Sequence, residues 1–188
     1  MVTRLVFIVQ LWAIALANRN DLGVFWQITD IHYDANYSLT SLQYMCHKDT
    51  GWVRANRSHG IYGDYLCDSP WALVSSAINV MKQIQPEPDF ILWTGDSTPH
   101  VPTKELSPSK VFMLIGNVTQ ELLRVFPDTP IYPSLGNHDT HPQDQVPVGP
   151  ASYYDEILGY SGWHQMLDDS SVKTFKQGQS SSDMNVYL

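Results

Sequence analysis

The fold can be predicted from the stretch Asp89-Phe90-Ile91-Leu92-Trp93-Thr94-Gly95-Asp96. Its apolar, aromatic-rich run is typical of a buried strand, and Thr94-Gly95 breaks that run. Asp96 would then lie at the carboxyl end of the strand, where open α/β sheets bind their ligands. This stretch therefore predicts both a strand of the sheet and a candidate functional residue.

Two other strand-like runs end in the same kind of residue. Residues 24–29 lead into Asp30-Ile31-His32, and residues 131–135 lead into Gly136-Asn137-His138-Asp139. Helical patterns lie between or after these runs. The alternation of strand and helix predicts an α/β fold with parallel strands and crossover helices, in a doubly wound pattern.

Helix boundaries are predicted from capping signals. Ser69-Pro70 and Ser107-Pro108 each place a serine at the N-cap and a proline at the first helical position. A weakly helical region is predicted over residues 151–159 and a further helix over 163–176. The Ser-rich residues 179–188 carry no clear element, so we expect one domain over residues 18–178 followed by a divergent tail.

The first residues predict export. Arg4 precedes an apolar run that closes on Ala15-Leu16-Ala17, which fits a signal peptide over residues 1–17 with cleavage after Ala17. The run is too short to span a bilayer comfortably, and we expect neither a transmembrane nor a GPI anchor in this chain. The protein is therefore expected to be secreted.

Composition and sequence patterns agree with an exported globular protein. Of 188 residues, 43% are hydrophobic and 16% are charged, and the net charge is −8. No Lys/Arg cluster predicts nucleic-acid binding. Cys46 and Cys67 are expected to form a disulfide, although two free thiols or half of a zinc site remain alternatives. Three sequons predict glycosylation, at Asn36, Asn56 and Asn117.

The polar residues at the three strand ends suit a metal site. Carboxylates and imidazoles bind zinc, iron or manganese, and a carboxylate such as Asp96 can bridge two ions. Two metals could clamp the attacking and leaving oxygens of an in-line displacement. Each motif alone is more often a surface turn, but their ordered repetition at three strand ends favours a site.

Four stretches carry a resemblance to a known family. Together they resemble the calcineurin-like metallophosphoesterases, and more finely the acid sphingomyelinase-like phosphodiesterases. The stretches are Asp30-Ile31-His32-Tyr33-Asp34, residues 63–71, residues 93–96 with Pro99-His100-Val101-Pro102, and Leu135-Gly136-Asn137-His138-Asp139. The resemblance implies that the chain forms the N-terminal half of an αββα sandwich.

Site roles follow from the resemblance by position. It implies that Asp30 and His32 bind a first zinc ion, that Asp96 bridges two zinc ions, and that Asn137 binds the second.

Two histidines complete the implied catalytic set. His138 would contact the phosphate and assist departure of the leaving group. His100 is a candidate for a second phosphate contact, with a turn histidine between two prolines as the alternative. A metal-bound hydroxide would attack phosphorus directly, on a phosphodiester or nucleotide-type substrate.

The family's site also uses histidines from a second half of the fold, including a Gly-His-x-His loop. Beyond His141 this sequence contains only His164. We therefore expect a truncated chain that holds at most one zinc ion, weakly. The alternative function is a catalytically inactive secreted glycoprotein isoform or fragment.

Overall fold

A computed structural model describes residues 22–41, 46–47 and 59–178. The predicted signal peptide, the tail over residues 179–188 and the sequon at Asn56 lie outside the described residues. Among the helices of the described ranges, none is long and apolar enough to cross a membrane.

Three strands form a parallel sheet, as the apolar runs predict. They are β1 (Phe25–Ile28), β2 (Phe90–Trp93) and β3 (Ile131–Pro133), in the order β1-β2-β3. Phe25 lies opposite Phe90, and Ile91 opposite Ile131. Because all three strands run in one direction, their carboxyl ends meet at one edge of the sheet.

Two long helices cross over between the strands. Helix α1 is Trp71–Ile84 and helix α2 is Pro108–Val125. They contact each other, and Ser75 Oγ of α1 donates to Glu121 Oε1 of α2 at 2.7 Å. The predicted α/β fold with parallel strands and crossover helices is confirmed. Among the described strands the order does not reverse, and the two helices contact each other, so both crossovers lie on the same face of the sheet.

The start of α1 also differs from the prediction. The helix begins at Trp71, with Pro70 rather than Ser69 at the N-cap and no side-chain cap bond. Ser69 is engaged elsewhere, because its N–H donates to His32 O at 3.0 Å and its carbonyl accepts from Asp34 N at 3.0 Å. The serine thus extends the pairing beyond β1 instead of capping a helix. In α2 the prediction is confirmed, since Ser107 Oγ accepts from Lys110 N at 3.2 Å.

The C-terminal part is more broken than predicted. Helix α3 (Ser152–Tyr160) occupies the weakly helical region, as expected. The single helix predicted over residues 163–176 is instead a 3₁₀ turn (Trp163–Gln165) and a short helix α4 (Asp169–Phe175). The break occurs because Asp168 caps a new helix by accepting from Ser171 N at 2.7 Å.

The core lies between the sheet and the helices. Trp93 of β2 is fully buried, and its ring meets that of Trp163 with centroids 5.7 Å apart. The buried face of α2 packs onto the same core, as its helical spacing predicts. Its buried apolar residues are Val111, Phe112, Leu114, Ile115, Val118, Leu122 and Val125.

The disulfide between Cys46 and Cys67 is present, with Cα atoms 5.2 Å apart, so the alternative of free thiols is not seen. It joins residues 21 positions apart in sequence. Closing a loop of this length stabilises a folded chain by about 3 kcal/mol in the chain-entropy account. The bond therefore joins Cys46 to Cys67, which lies four residues before the start of α1.

A buried carboxylate joins the two crossover helices. Glu121 accepts hydrogen bonds from Ser75, Asn79 and Arg124, and the Arg124 bonds are 2.8 Å long. Chiefly the hydrogen bonds from Arg124 lower the pKa of Glu121 to about 2, against an ordinary value of 4.5. The stabilisation from the charged form is thus present above about pH 4.5 and is lost as the pH falls towards about 2.

We expect Glu121→Gln to lower the free energy of unfolding by about 2 kcal/mol near neutral pH, because the charged hydrogen bonds are lost. The difference in the free energy of unfolding between variant and wild type should shrink at about pH 3, where the stabilisation from the charged form of Glu121 is already declining. Urea unfolding at both pH values measures this. Glu87→Gln, at an exposed residue, is the control. A destabilisation by Glu121→Gln that is the same at both pH values would contradict the conclusion that the charged form of Glu121 stabilises the fold.

Candidate metal centre and active site

Hydrogen bonds hold the loops after β1 and β2 side by side. Asp30 N donates to Gly95 O at 3.1 Å, and His32 N donates to Asp96 O at 3.0 Å. The parallel pairing of the strands therefore continues into the loops. This pairing places the first Asp-x-His motif directly beside Asp96.

The backbone at these positions adopts an uncommon conformation. Asp30, His32 and Asp96 have φ values of 52°, 41° and 53°. Positive φ is uncommon outside glycine, although Asn, Asp and His tolerate it best. Such residues cluster at functional sites, where the surrounding structure fixes the strained backbone. Three such residues in one cluster therefore indicate that this edge of the sheet is a candidate functional site.

Two glycines allow the second and third loops to touch. A Cβ on Gly95, whose φ is 88°, would collide with the Gly136 backbone. A Cβ on Gly136 would collide with the Asp96 carboxylate. The glycines of Gly95-Asp96 and Gly136-Asn137 are thus required for close approach of the two loops.

Asp139 links the loops after β2 and β3 by hydrogen bonds. Its buried carboxylate accepts from Ser97 N at 2.7 Å and from Gly136 N at 3.0 Å. Burial raises the pKa of Asp139 to about 6, against the opposing effect of those hydrogen bonds. The last residue of the Gly-Asn-His-Asp motif therefore has a structural role.

Asp30, His32 and Asp96 form a group that suits a divalent metal ion. One ligand atom from each lies within 4.8 Å of the others. His32 Nδ1 donates to the carbonyl of Thr98 at 2.9 Å, which leaves the Nε2 lone pair free for a metal. Two carboxylates and one such imidazole are ligands that zinc, iron or manganese accept.

Hydrogen bonds also fix the orientation of Asn137, the predicted ligand of a second metal. Its Nδ2 donates to Asp144 Oδ1 at 2.7 Å, and Asp144 N donates to the Asn137 carbonyl at 2.9 Å. Since a carboxylate can only accept, Nδ2 is fixed on the Asp144 side. The neutral Oδ1 is the atom left to bind a metal.

Three histidines form a second group beside the carboxylates. Ligand atoms of His32, His100 and His138 lie within 4.8 Å of one another. The ring centroids of His100 and His138 are 4.5 Å apart. Burial, then the neighbouring His100 and His32, lower the pKa of His138. The two predicted phosphate-contacting histidines are thus adjacent to each other and to a predicted metal ligand.

A buried carboxylate anchors His100. Asp68 accepts from His100 N at 2.7 Å and pairs with His100 Nδ1 at 2.8 Å. This carboxylate is buried, whereas the His100 side chain is 37% exposed. These hydrogen bonds fix both the backbone and the ring of His100, as either a phosphate contact or a turn histidine would require.

Two predicted glycosylation sites and a further histidine lie away from this cluster. Asn36 is exposed on the loop after β1, and Asn117 is half-buried within α2. His47 is buried against Asp34, with Nδ1 and Oδ2 2.7 Å apart. None of these three is in the metal-binding groups formed by the described residues.

Sequence reasoning missed the residues that orient the site. Asp68, Thr98, Gln143 and Asp144 each contact a predicted site residue. Asp68 lies in a stretch used for the family resemblance, but its spacing from His100 gives no sign of contact. The others lie on irregular segments, where no periodicity predicts orientation.

Comparison with known proteins identifies similar chains. A family model described as calcineurin-like phosphoesterase matches residues 23–182. An acid sphingomyelinase-like phosphodiesterase 3b of Homo sapiens is 44% identical over 171 residues, covering 89% of this chain and 37% of the relative. The type 3b relative of Mus musculus is 42% identical over 167 residues, 89% and 35% of the two chains. A cyclic GMP-AMP phosphodiesterase of Homo sapiens is 40% identical over 159 residues, covering 84% and 34%.

These matches confirm the resemblance to acid sphingomyelinase-like phosphodiesterases, including their type 3b members. They span most of this chain. The chain in turn spans about a third of the length of the curated relatives it matches.

Proposed function

The chain belongs to the calcineurin-like phosphoesterase family, and from this we propose that it forms the metal-binding loops of a secreted, zinc-dependent phosphodiesterase. The observation that carries the proposal is the convergence of Asp30, His32 and Asp96 at one sheet edge. Their oxygen and imidazole ligands suit zinc. The family as a whole is metal-dependent, and zinc is the ion proposed here.

Four residues would hold the metals. Asp30, His32 and Asp96 would bind the first zinc ion, and Asp96 with Asn137 the second. Bound zinc would supply Lewis acidity that polarises the phosphate. The loop hydrogen bonds to Gly95 and Asp96 would keep these ligands in position before any ion binds.

The histidines would bind the substrate phosphate. His138 would contact a phosphate oxygen and assist departure of the leaving group. His100, held by the buried Asp68, would make a second phosphate contact. Because Asp68 fixes both the backbone and the ring of His100, little freedom would be lost when phosphate binds.

The proposed substrate is a small phosphodiester of nucleotide type. Support comes from the 40% identity to a protein named as a cyclic GMP-AMP phosphodiesterase. We propose secretion on the basis of the predicted signal peptide over residues 1–17, the three sequons and the Cys46–Cys67 disulfide. The mature domain would begin at Asn18.

A second candidate function is a catalytically inactive secreted glycoprotein. It is favoured by the small number of ligands for the second metal. Among the described residues, only Asp96 and Asn137 are proposed to bind that ion. Fewer than three protein ligands seldom hold zinc tightly. The first and second candidates differ in metal content and in turnover.

The test compares the 188-residue chain with a longer protein in which the remaining part of the human type 3b relative follows it. Zinc is counted by mass spectrometry after dialysis, and hydrolysis of bis(4-nitrophenyl) phosphate is followed. We expect at most one weakly held zinc and little turnover in the chain alone, and two zinc ions with turnover in the longer protein. If neither protein binds zinc or hydrolyses the substrate, the proposed phosphodiesterase function is refuted.

A further inference from the structure

The three clustered histidines differ in the hydrogen-bond partners of their Nδ1 atoms. His32 Nδ1 faces the Thr98 carbonyl at 2.9 Å, and His100 Nδ1 faces the Asp68 carboxylate at 2.8 Å. Both partners can only accept, so each ring donates from Nδ1. In their neutral forms these two rings therefore have a lone pair on Nε2.

His138 has the opposite arrangement because of Gln143. The Gln143 Nε2 atom lies 3.1 Å from the Pro99 carbonyl oxygen and 3.1 Å from His138 Nδ1. A carbonyl oxygen only accepts, so the shared side-chain atom must be the amide nitrogen. The same amide then donates its other hydrogen to His138 Nδ1, which has to be the unprotonated nitrogen.

We propose that Gln143 is a positioning residue that keeps the proton of neutral His138 on Nε2. His138 would then be the member of this histidine cluster that offers an N–H at Nε2. The inference rests on the proposed function, because the use of this N–H would be to donate a hydrogen bond to a phosphate oxygen as negative charge develops there. Fixed donors of this kind stabilise charge in a transition state.

The backbone of His138 is also fixed by hydrogen bonds. The His138 backbone N–H donates to Asp96 Oδ1 at 2.9 Å, and its carbonyl accepts from Thr98 Oγ1. Gln143 itself is tied to Pro99, the residue before His100. A single amide therefore couples the loop after β2 to the ring of His138.

The test uses nitrogen-15 NMR of the histidine rings in the full 188-residue chain without added metal, at about pH 8. The His138 signals are assigned by their loss in His138→Ala. We expect a pyridine-type shift for Nδ1 and a pyrrole-type shift for Nε2 in the wild type. A wild-type Nδ1 that carries the proton, or a proton shared between both nitrogens, would overturn the proposal.

Two variants separate Gln143 from its neighbourhood. Gln143→Glu has nearly the same shape but accepts where glutamine donates, so Nδ1 should become protonated. Gln145→Glu adds the same charge at an exposed position two residues away and should leave Nδ1 unprotonated. Equal spectra for the two variants would overturn the proposal. If Gln143→Glu does not fold, Gln143→Met should move the Nδ1 shift towards that of an imidazole without a hydrogen bond.

Turnover provides a separate measurement. In a protein that hydrolyses a phosphodiester, Gln143→Glu should reduce kcat at least about tenfold, and Gln145→Glu should not. Absence of turnover in every protein would count against the proposed function. The NMR result on Gln143 would still stand or fall independently.

Discussion

Asp96→Asn, made in the longer protein completed with the remaining part of the human type 3b relative, is expected to weaken binding of both metals and to reduce phosphodiester turnover at least about a hundredfold. Asparagine tolerates the positive φ of this position, and its side-chain oxygen can still accept from His138 N. The substitution therefore removes the negative charge that we propose bridges the two metals, while the loop keeps its shape. Metal content after dialysis and turnover of bis(4-nitrophenyl) phosphate measure the two effects.

Asp128→Asn is the matched control for Asp96→Asn, because it removes one carboxylate from an exposed turn. It should retain the metal content and turnover of the parent protein. Circular dichroism checks that both variants keep their helices. Unchanged zinc binding in Asp96→Asn would show that this carboxylate is not a shared ligand.

His138→Ala is expected to have a large effect of a different kind. In the same longer protein, the variant should keep its metal content, because His138 is proposed to contact phosphate, and it should lose about a hundredfold or more in kcat. Steady-state kinetics and metal analysis of the same preparation give the two values. Loss of metal together with activity would instead make His138 a ligand.

His164→Ala is the control for His138→Ala. His164 lies in the 3₁₀ turn Trp163–Gln165, where its Nδ1 contacts the Leu158 carbonyl at 2.8 Å. The change removes one exposed imidazole without touching the three-histidine cluster. It should leave both metal content and kcat close to those of the parent.

The strand positions were predictable because the signal was local. Each apolar run ends in a turn residue, and parallel strands bring their carboxyl ends to one edge. The juxtaposition of Asp30, His32 and Asp96 follows from that rule, and the structure brings them together. Their roles as zinc ligands stay a prediction.

The orienting contacts could not be predicted because they depend on tertiary structure. His100 is 32 positions from Asp68, and Gln143 is 44 positions from Pro99. No periodicity relates such residues. Ser69 shows the converse error, since a strong local capping signal was overridden when its backbone paired with His32 and Asp34.

That pairing of Ser69 has a consequence for how this protein can vary in length. The segment 35–68 leaves the sheet edge after Asp34 and returns at Ser69, so both of its ends are held by the same ladder. Lengthening an anchored loop is inexpensive, about 0.6 kcal/mol for each doubling. Insertions well away from Asp34 and Ser69 should therefore leave Asp30 and His32 in place. One residue inserted between β1 and Tyr33 would instead shift the pairing register and turn a proposed metal ligand away from Asp96.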